Sequence, residues 1–291
     1  RYIYIRDNAS KDYWSASWQP VGKDLNDYKS KCCHGMGYTR MLADYSGIHS
    51  EAVYYVPLGK SYEVWGLTVT NQSDRPRELT LTGYAEFTNH NNYEQDQVNL
   101  QYSLFIGRTL FDTDRIMQQI HGNLDALQDG EKVDEKNVTE RFFGLAGAAV
   151  DSYCGDKEIF LGKYHGYGNP QGVASGTLGN ALSYNENSCG ALSCVIPLQP
   201  GESKSVAFLV GMKSSAEAAG IIASYASAGE QISKEVDTLR NDWYAKLDHL
   251  KINTPDPSFN SMINTWNAYN CFITFIWSRA ASFIYCGLRN G

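Results

Sequence analysis

The segment EVWGLTVTNQSDRPRELTLTGYAEF, residues 63–87, constrains the fold more than any other part of the chain. Leu79, Leu81, Gly83 and Ala85 alternate with Thr80, Thr82 and Tyr84, a period of two that suits a strand with one buried face and excludes a helix. NQSDRP at 71–76 supplies the turn chemistry between two such runs. EAVYYVPL (51–58) and KSVAFLVGM (204–212) carry the same signal, and LQPGES (198–203) is a second polar turn. Residues 63–87 and 194–212 therefore each read as an antiparallel hairpin whose two apolar faces meet one core, as in a β-sandwich. Roughly 112–145 is less regular and reads as a charged insertion or long loop with some helix.

After residue 213 the period changes. Ile221, Ile222, Tyr225, Ile232, Val236, Leu239, Trp243 and Leu247 recur at steps that build one face of a helix. Ser214 or Ser215 suits the cap position, with Glu217 close behind. Two prolines in NTPDPSF end this stretch. The next segment, SFNSMINTWNAYNCFITFIWSRAAS, is apolar nearly all round and predicts a helix that needs covering on several sides.

Composition narrows the function classes. The 291 residues carry a net charge of −7 with no basic cluster, which argues against nucleic acid and anionic membranes as partners. No run approaches the ~20 apolar residues of a membrane span. Seven cysteines with no Cys-x-x-Cys fit a reduced, cytoplasmic protein better than a disulfide framework. Tyr, Phe and Trp make up 13% of the chain, consistent with stacking on sugar rings and equally with twisted sheet. The opening RYIYIRDNAS and closing GLRNG both read as lying inside a longer protein.

Four short patterns stand out: DYWSASWQPV (12–21), CCHGMGYTRM (32–41), FTNHNNYEQDQVNLQYS (87–103) and WNAYNCFITFIWSRAAS (266–282). Each has a plain structural account. Trp14 and Trp18 suit core aromatics beside a turn. His34-Gly35-Met36-Gly37 lacks the third glycine and the strand-to-helix setting of a phosphate loop. His90 and His121 have no partners at metal-ligand spacing, so no metal is expected. Glu86, Glu94 and Asp96 read as solvated carboxylates, and Arg279 as a charge near a helix C-terminus.

Together, in order and spacing, the four patterns resemble the N-terminal half of glycoside hydrolase family 94, formerly glycosyltransferase family 36, whose members include cellobiose, cellodextrin, laminaribiose and chitobiose phosphorylases. The Trp-Ser-x-x-Trp-x-Pro element at 14–20 and the Cys-x-His-Gly-x-Gly-Tyr-Thr-like element at 32–39 carry most of that resemblance. It implies a mainly β fold: an antiparallel β-sandwich over 1–212 with its first strands missing, a helical linker over 213–254, and the start of an (α/α)6 catalytic barrel over 255–291.

The resemblance also implies a chemistry, in which phosphate cleaves a β-glucosidic bond with inversion and releases an α-sugar 1-phosphate. One carboxylic acid protonates the leaving oxygen while phosphate attacks the opposite face. Inorganic phosphate is then a co-substrate and no cofactor is needed. By this analogy Arg279 binds phosphate, a role that suits a forked guanidinium. Gln101 reaches the acceptor side, Tyr102 replaces an arginine found in cellobiose phosphorylases, and Arg289 stands one position from the family's donor-sugar arginine. The general acid, an aspartate, is expected beyond the chain, leaving no catalytic residue within it and an inactive isolated fragment. Expected partners are a β-linked gluco-oligosaccharide, phosphate and a second copy in a full-length homodimer. Linkage, acceptor length and the choice of glucose or N-acetylglucosamine donor stay open. The alternative is a carbohydrate-binding or assembly module without catalysis.

Overall fold

The computed structural model describes residues 1–87, 107–121 and 138–277. Two antiparallel sheets dominate it. The smaller has five strands in the order β11-β12-β7-β1-β2, namely Ser152–Asp156, Ser188–Leu198, Arg77–Glu86, Tyr2–Asp7 and Tyr13–Ser15. The larger has eight, in the order β3-β4-β5-β6-β13-β10-β9-β8: Lys29–His34, Tyr38–Tyr45, Ile48–Tyr55, Tyr62–Asn71, Ser203–Gly211, Val138–Ala146, Arg115–His121 and Gly107–Asp112. The expectation of a mainly β sandwich holds.

Alternation explains how the sheets stack. Trp65, Leu67 and Val69 of β6 face Leu79 and Leu81 of β7 and Ile3 and Ile5 of β1, forming the core between the sheets. Tyr62 and Val64, on the opposite face of β6, meet two helices instead. These are α3 (Ser215–Ala223) and α4 (Ala228–Leu247), which with Tyr225 of the turn between them bury Ile222, Ile232, Val236 and Leu239 on the large sheet. The cap of α3 is Ser214, in a reciprocal capping box with Glu217. Gly66 lets α4 come close, since a Cβ there would stand 2.7 Å from Ile232 Cδ1. The outer face of the small sheet is covered by two short helices, α1 (Lys157–Leu161) and α2 (Gln171–Ser175), through Phe160, Leu161 and Val173.

Two sequence expectations need correcting. The segments 63–87 and 194–212 are not hairpins: β6 and β7 lie in different sheets, as do β12 and β13, so each turn crosses the sandwich. Asn71, fully buried, shows why the turns can do this. Its Nδ2 donates to the carbonyls of Arg75 (2.8 Å) and Leu198 (3.2 Å), and its Oδ1 accepts from the Ser73 amide (3.0 Å) and hydroxyl (2.6 Å). One side chain thus satisfies the backbone of both crossovers. The second correction concerns 112–145, where the described residues are the strands β8, β9 and β10 rather than irregular chain.

Beyond α4, α5 (Pro257–Ser261) runs through a π-helical turn (Met262–Asn267) into α6 (Ala268–Trp277). Asp256 caps α5 through the amides of Ser258 and Phe259. The apolar surface of the π-helical turn and α6 is open, with Met262, Phe272 and Ile276 about half exposed. Among the described residues no helix is long and apolar enough to cross a membrane.

Candidate functional site: a cleft between the sandwich and the α5–α6 run

Three of the four sequence patterns converge on one open cleft of about 710 Å3. Ser17 comes from the first, His34 to Thr39 from the second, and Trp266 with Tyr269 from the fourth; Tyr54, Glu63 and Arg1 complete the walls.

Local chemistry fixes each contribution. In the first element, Trp18 sits at φ 65° and its Nε1 donates to the Lys23 carbonyl (2.8 Å). Tyr28 ties the same turn together, accepting from the Trp18 amide (2.9 Å) and donating to the Ser15 carbonyl (2.8 Å). Ser17 is thereby turned outward. The second element is the β3–β4 hairpin. Gly35 leaves room for the Tyr38 ring, which a Cβ would strike. Gly37 has φ +80° and lies against Leu239 and Trp243 of α4, each within 3.0 Å of where its Cβ would be.

Across the cleft, Trp266 and Tyr269 meet edge-on with ring centroids 6.1 Å apart, and Tyr269 packs on Trp243 at 4.8 Å. On the sandwich side, the Arg1 guanidinium lies 5.4 Å from the Tyr54 ring centre and pairs with Glu63. Burial pushes the Tyr54 phenol up to about 12, against the pull of Arg1. Tyr55 donates to Glu235 of α4 (2.8 Å), which also accepts from Tyr225 (2.5 Å) and Gln231 (2.8 Å). That network seats α4 on the sheet beneath the cleft.

This arrangement is suited to holding a flat, polar-edged ligand: aromatic walls with hydroxyls, an imidazole and a guanidinium at their rims. Among the described residues the only carboxylate lining it is Glu63, already paired with Arg1. No group of three His, Cys, Asp or Glu side chains among the described residues could hold a metal.

The residues singled out by resemblance, Gln101, Tyr102, Arg279 and Arg289, lie outside the described residues, as do His90, Glu94 and Asp96. What sequence reading missed is the cleft itself. Ser17, Thr39, Tyr54 and Trp266 are far apart in the chain, and the one local signal was the Cys-x-His spacing on a strand.

Comparison with known proteins fits this picture. Residues 1–228 match the family model described as the glycosyl hydrolase 94 supersandwich domain, and residues 242–291 match the glycosyl hydrolase 94 superfamily catalytic domain. The N,N'-diacetylchitobiose phosphorylase of Vibrio furnissii is 32% identical over 100% of this chain and 34% of its own length. The solabiose phosphorylase of Paenibacillus borealis is 30% identical over 91% of this chain and 33% of its own. The 3-O-beta-D-glucopyranosyl-beta-D-glucuronide phosphorylase of the same organism is 26% identical over 100% of this chain and 36% of its own. The chain spans about a third of the length of these curated relatives. With more than half its residues matched by the supersandwich model, and the rest of its described helices entering the catalytic one, the chain belongs to glycosyl hydrolase family 94.

Proposed function

We propose that the chain is the front part of an inverting phosphorylase acting on a β-linked disaccharide or short oligosaccharide. A phosphate oxygen attacks the anomeric carbon as the glycosidic C–O bond breaks, and a carboxylic acid supplied by the rest of the protein protonates the leaving oxygen. The products are an α-sugar 1-phosphate and a shortened sugar. One observation carries the reading: Trp266 and Tyr269, from the stretch matched by the catalytic-domain model, face the 32–39 hairpin of the supersandwich across a sugar-sized cleft. In this proposal Arg279 anchors phosphate, Gln101 and Tyr102 lie toward the acceptor, and Arg289 lies toward the donor sugar. Phosphate serves as co-substrate without a cofactor.

The reading extends to organisation. Residues 1–212 are assigned to the sandwich, 213–254 to the linker, and 255–291 to the start of the catalytic domain; the last described strand ends at Gly211, and the stretch that neither family model matches, 229–241, falls within the proposed linker. The full-length protein is proposed to be a cytoplasmic homodimer. Relatives named for N,N'-diacetylchitobiose make an N-acetylglucosamine donor a substrate to test beside the β-glucosides.

A protein extended to the length of its relatives should release an α-sugar 1-phosphate from N,N'-diacetylchitobiose, cellobiose or laminaribiose only when phosphate is present. Phosphorus NMR reads both product and anomer. No sugar phosphate from any β-linked disaccharide would sink the proposal. The 291-residue chain alone should be inactive. A second reading, carbohydrate binding without catalysis, is favoured for the isolated chain by a cleft whose one carboxylate among the described residues is already paired. Sugar-induced quenching of Trp266 without turnover is its signature.

A further inference from the structure

The edge strand β3 carries a side-chain arrangement that the phosphorylase reading does not use. On a strand, residues two apart share a face, so Cys32 and His34 project together. Antiparallel pairing sets Thr39 directly opposite His34. The imidazole is held at both ends: Nε2 is 3.4 Å from Cys32 Sγ, and Nδ1 is 3.0 Å from Thr39 Oγ1. With the thiol donating to Nε2, the ring carries its proton on Nδ1 and donates to the threonine hydroxyl. Cys32 and His34 are both exposed, whereas Cys154, Cys189 and Cys194 are fully buried. Cys33 points to the other face of the strand and is half-buried. Cys271 is exposed on α6 and has no hydrogen bond to an imidazole among the described residues. His34 and Thr39 also line the cleft, so a group attached to Cys32 lies at its rim.

We infer that Cys32 is a reactive thiol, activated by His34, that forms mixed disulfides with low-molecular-weight disulfides at the edge of the cleft. A neighbouring base that takes the thiol proton is the usual means of activating such a nucleophile. In the exchange the proton passes from Cys32 Sγ to His34 Nε2, and the sulfur attacks one sulfur of a disulfide R–S–S–R. The Cys32–S–S–R bond forms as the original S–S bond breaks. The departing RS⁻ takes the proton from His34 and leaves as RSH. Cys32 is oxidised and one half of the reagent is reduced, so no further oxidant is needed. The function this would give is a thiol-disulfide modification site beside the cleft, through which an attached group narrows ligand access.

The test uses the chain with Cys33→Ser, so that the tryptic peptide beginning at Cys32 holds one thiol. It is exposed to glutathione disulfide and mapped by mass spectrometry over time. Cys32 should form its mixed disulfide about tenfold faster than Cys271 in the same molecules. His34→Gln should bring the Cys32 rate down about tenfold and leave Cys271 unchanged. Rates for Cys32 and Cys271 within about twofold of each other, with His34 present, would overturn the inference. So would an undiminished Cys32 rate in a folded His34→Gln chain. The within-molecule ratio needs no histidine variant and decides the matter if that variant does not fold.

Discussion

Asp7 accepts a 2.7 Å hydrogen bond from Arg77 Nη2 where both side chains are all but sealed from water. The other arm of Arg77 donates to the Ser46 carbonyl at 2.8 Å, in the β4–β5 turn of the opposite sheet. The pair therefore joins the end of β1 and the start of β7 to the large sheet. Removing one member strands the other in a dry interior, so Asp7→Asn should cost about 3–5 kcal/mol, read as a lower urea midpoint.

The same pair sets an acid limb. Burial pushes the Asp7 carboxyl up, but the Ala9 amide and the Arg77 guanidinium outweigh it and hold it below the usual carboxylate range. A depressed folded-state value gives stability that is present above about pH 4 and lost as pH falls through it. Wild-type stability should therefore drop faster between pH 5 and 2 than that of Asp7→Asn. Parallel acid limbs in the two proteins would contradict this.

Asn71 satisfies both crossover turns at once, and alanine there removes a donor from the buried Leu198 carbonyl and one of the two side-chain donors to the Arg75 carbonyl. We expect a loss of about 2–3 kcal/mol. Asn71→Asp should lose a similar amount, because it keeps the acceptor for Ser73 but not the donors to Arg75 and Leu198. Equal stability of Asn71→Asp and wild type would show the carbonyl bonds to be dispensable.

Alkaline stability should follow tyrosines drawn partly or wholly out of water. Burial pushes the phenols of Tyr28 and Tyr54 up to about 12, and burial with the Asp12 carboxylate does the same for Tyr45. Unfolded tyrosine ionises near 10, so this contribution is complete below about pH 10 and lost as pH rises toward 12. The urea midpoint should hold steady to pH 10 and then fall, while absorbance at 295 nm shows these phenols ionising late. A midpoint unchanged at pH 12 is the contrary result.

Gly37 and Gly59 separate backbone strain from crowding. Both have positive φ, +80° and +71°, but only Gly37 has neighbours where a Cβ would go. Alanine at Gly59 should cost about 1 kcal/mol of left-handed strain. Gly37→Ala should cost about twice that and shift Trp243 fluorescence. Equal losses would mean the α4 contact yields freely.

Trp266 is a cleft aromatic that lies outside the sandwich core. Trp266→Ala should weaken disaccharide binding about fivefold, the equivalent of about 1 kcal/mol of lost stacking, with no change in the unfolding midpoint of the sandwich. Titration calorimetry reads the binding and a urea titration the midpoint.

Much of this architecture is written in local periodicity. The strands at 62–71 and 77–86, and the stripe that seats α4, follow from alternation and from steps of three and four. The partition into sheets is not, because NQSDRP suits a hairpin turn and a crossover alike. Long-range pairing distinguishes them: β6 joins β13 and β7 joins β12, and Asn71 reaches Leu198, 127 residues away. Helices α1 and α2 are single turns in Gly-rich chain, too short to show a period. The cleft escaped for the same reason as the sheet order: Ser17, Thr39 and Trp266 meet only in three dimensions. Cys32 and His34 were adjacent enough to be noticed, yet their pairing needed the strand to put them on one face.

Trp243 touches both sides of this meeting place. Its indole Nε1 stands 3.0 Å from where a Gly37 Cβ would be, and the same ring packs edge-on against Tyr269 at 4.8 Å and Phe272 at 5.3 Å. A single rigid plate is thus wedged between the hairpin tip and the helix that forms the far wall. Tilting that helix presses on the hairpin, and displacing the hairpin pushes back on the helix. The indole is thus placed as a spacer behind the two walls, and a smaller residue at position 243 is expected to let them settle together.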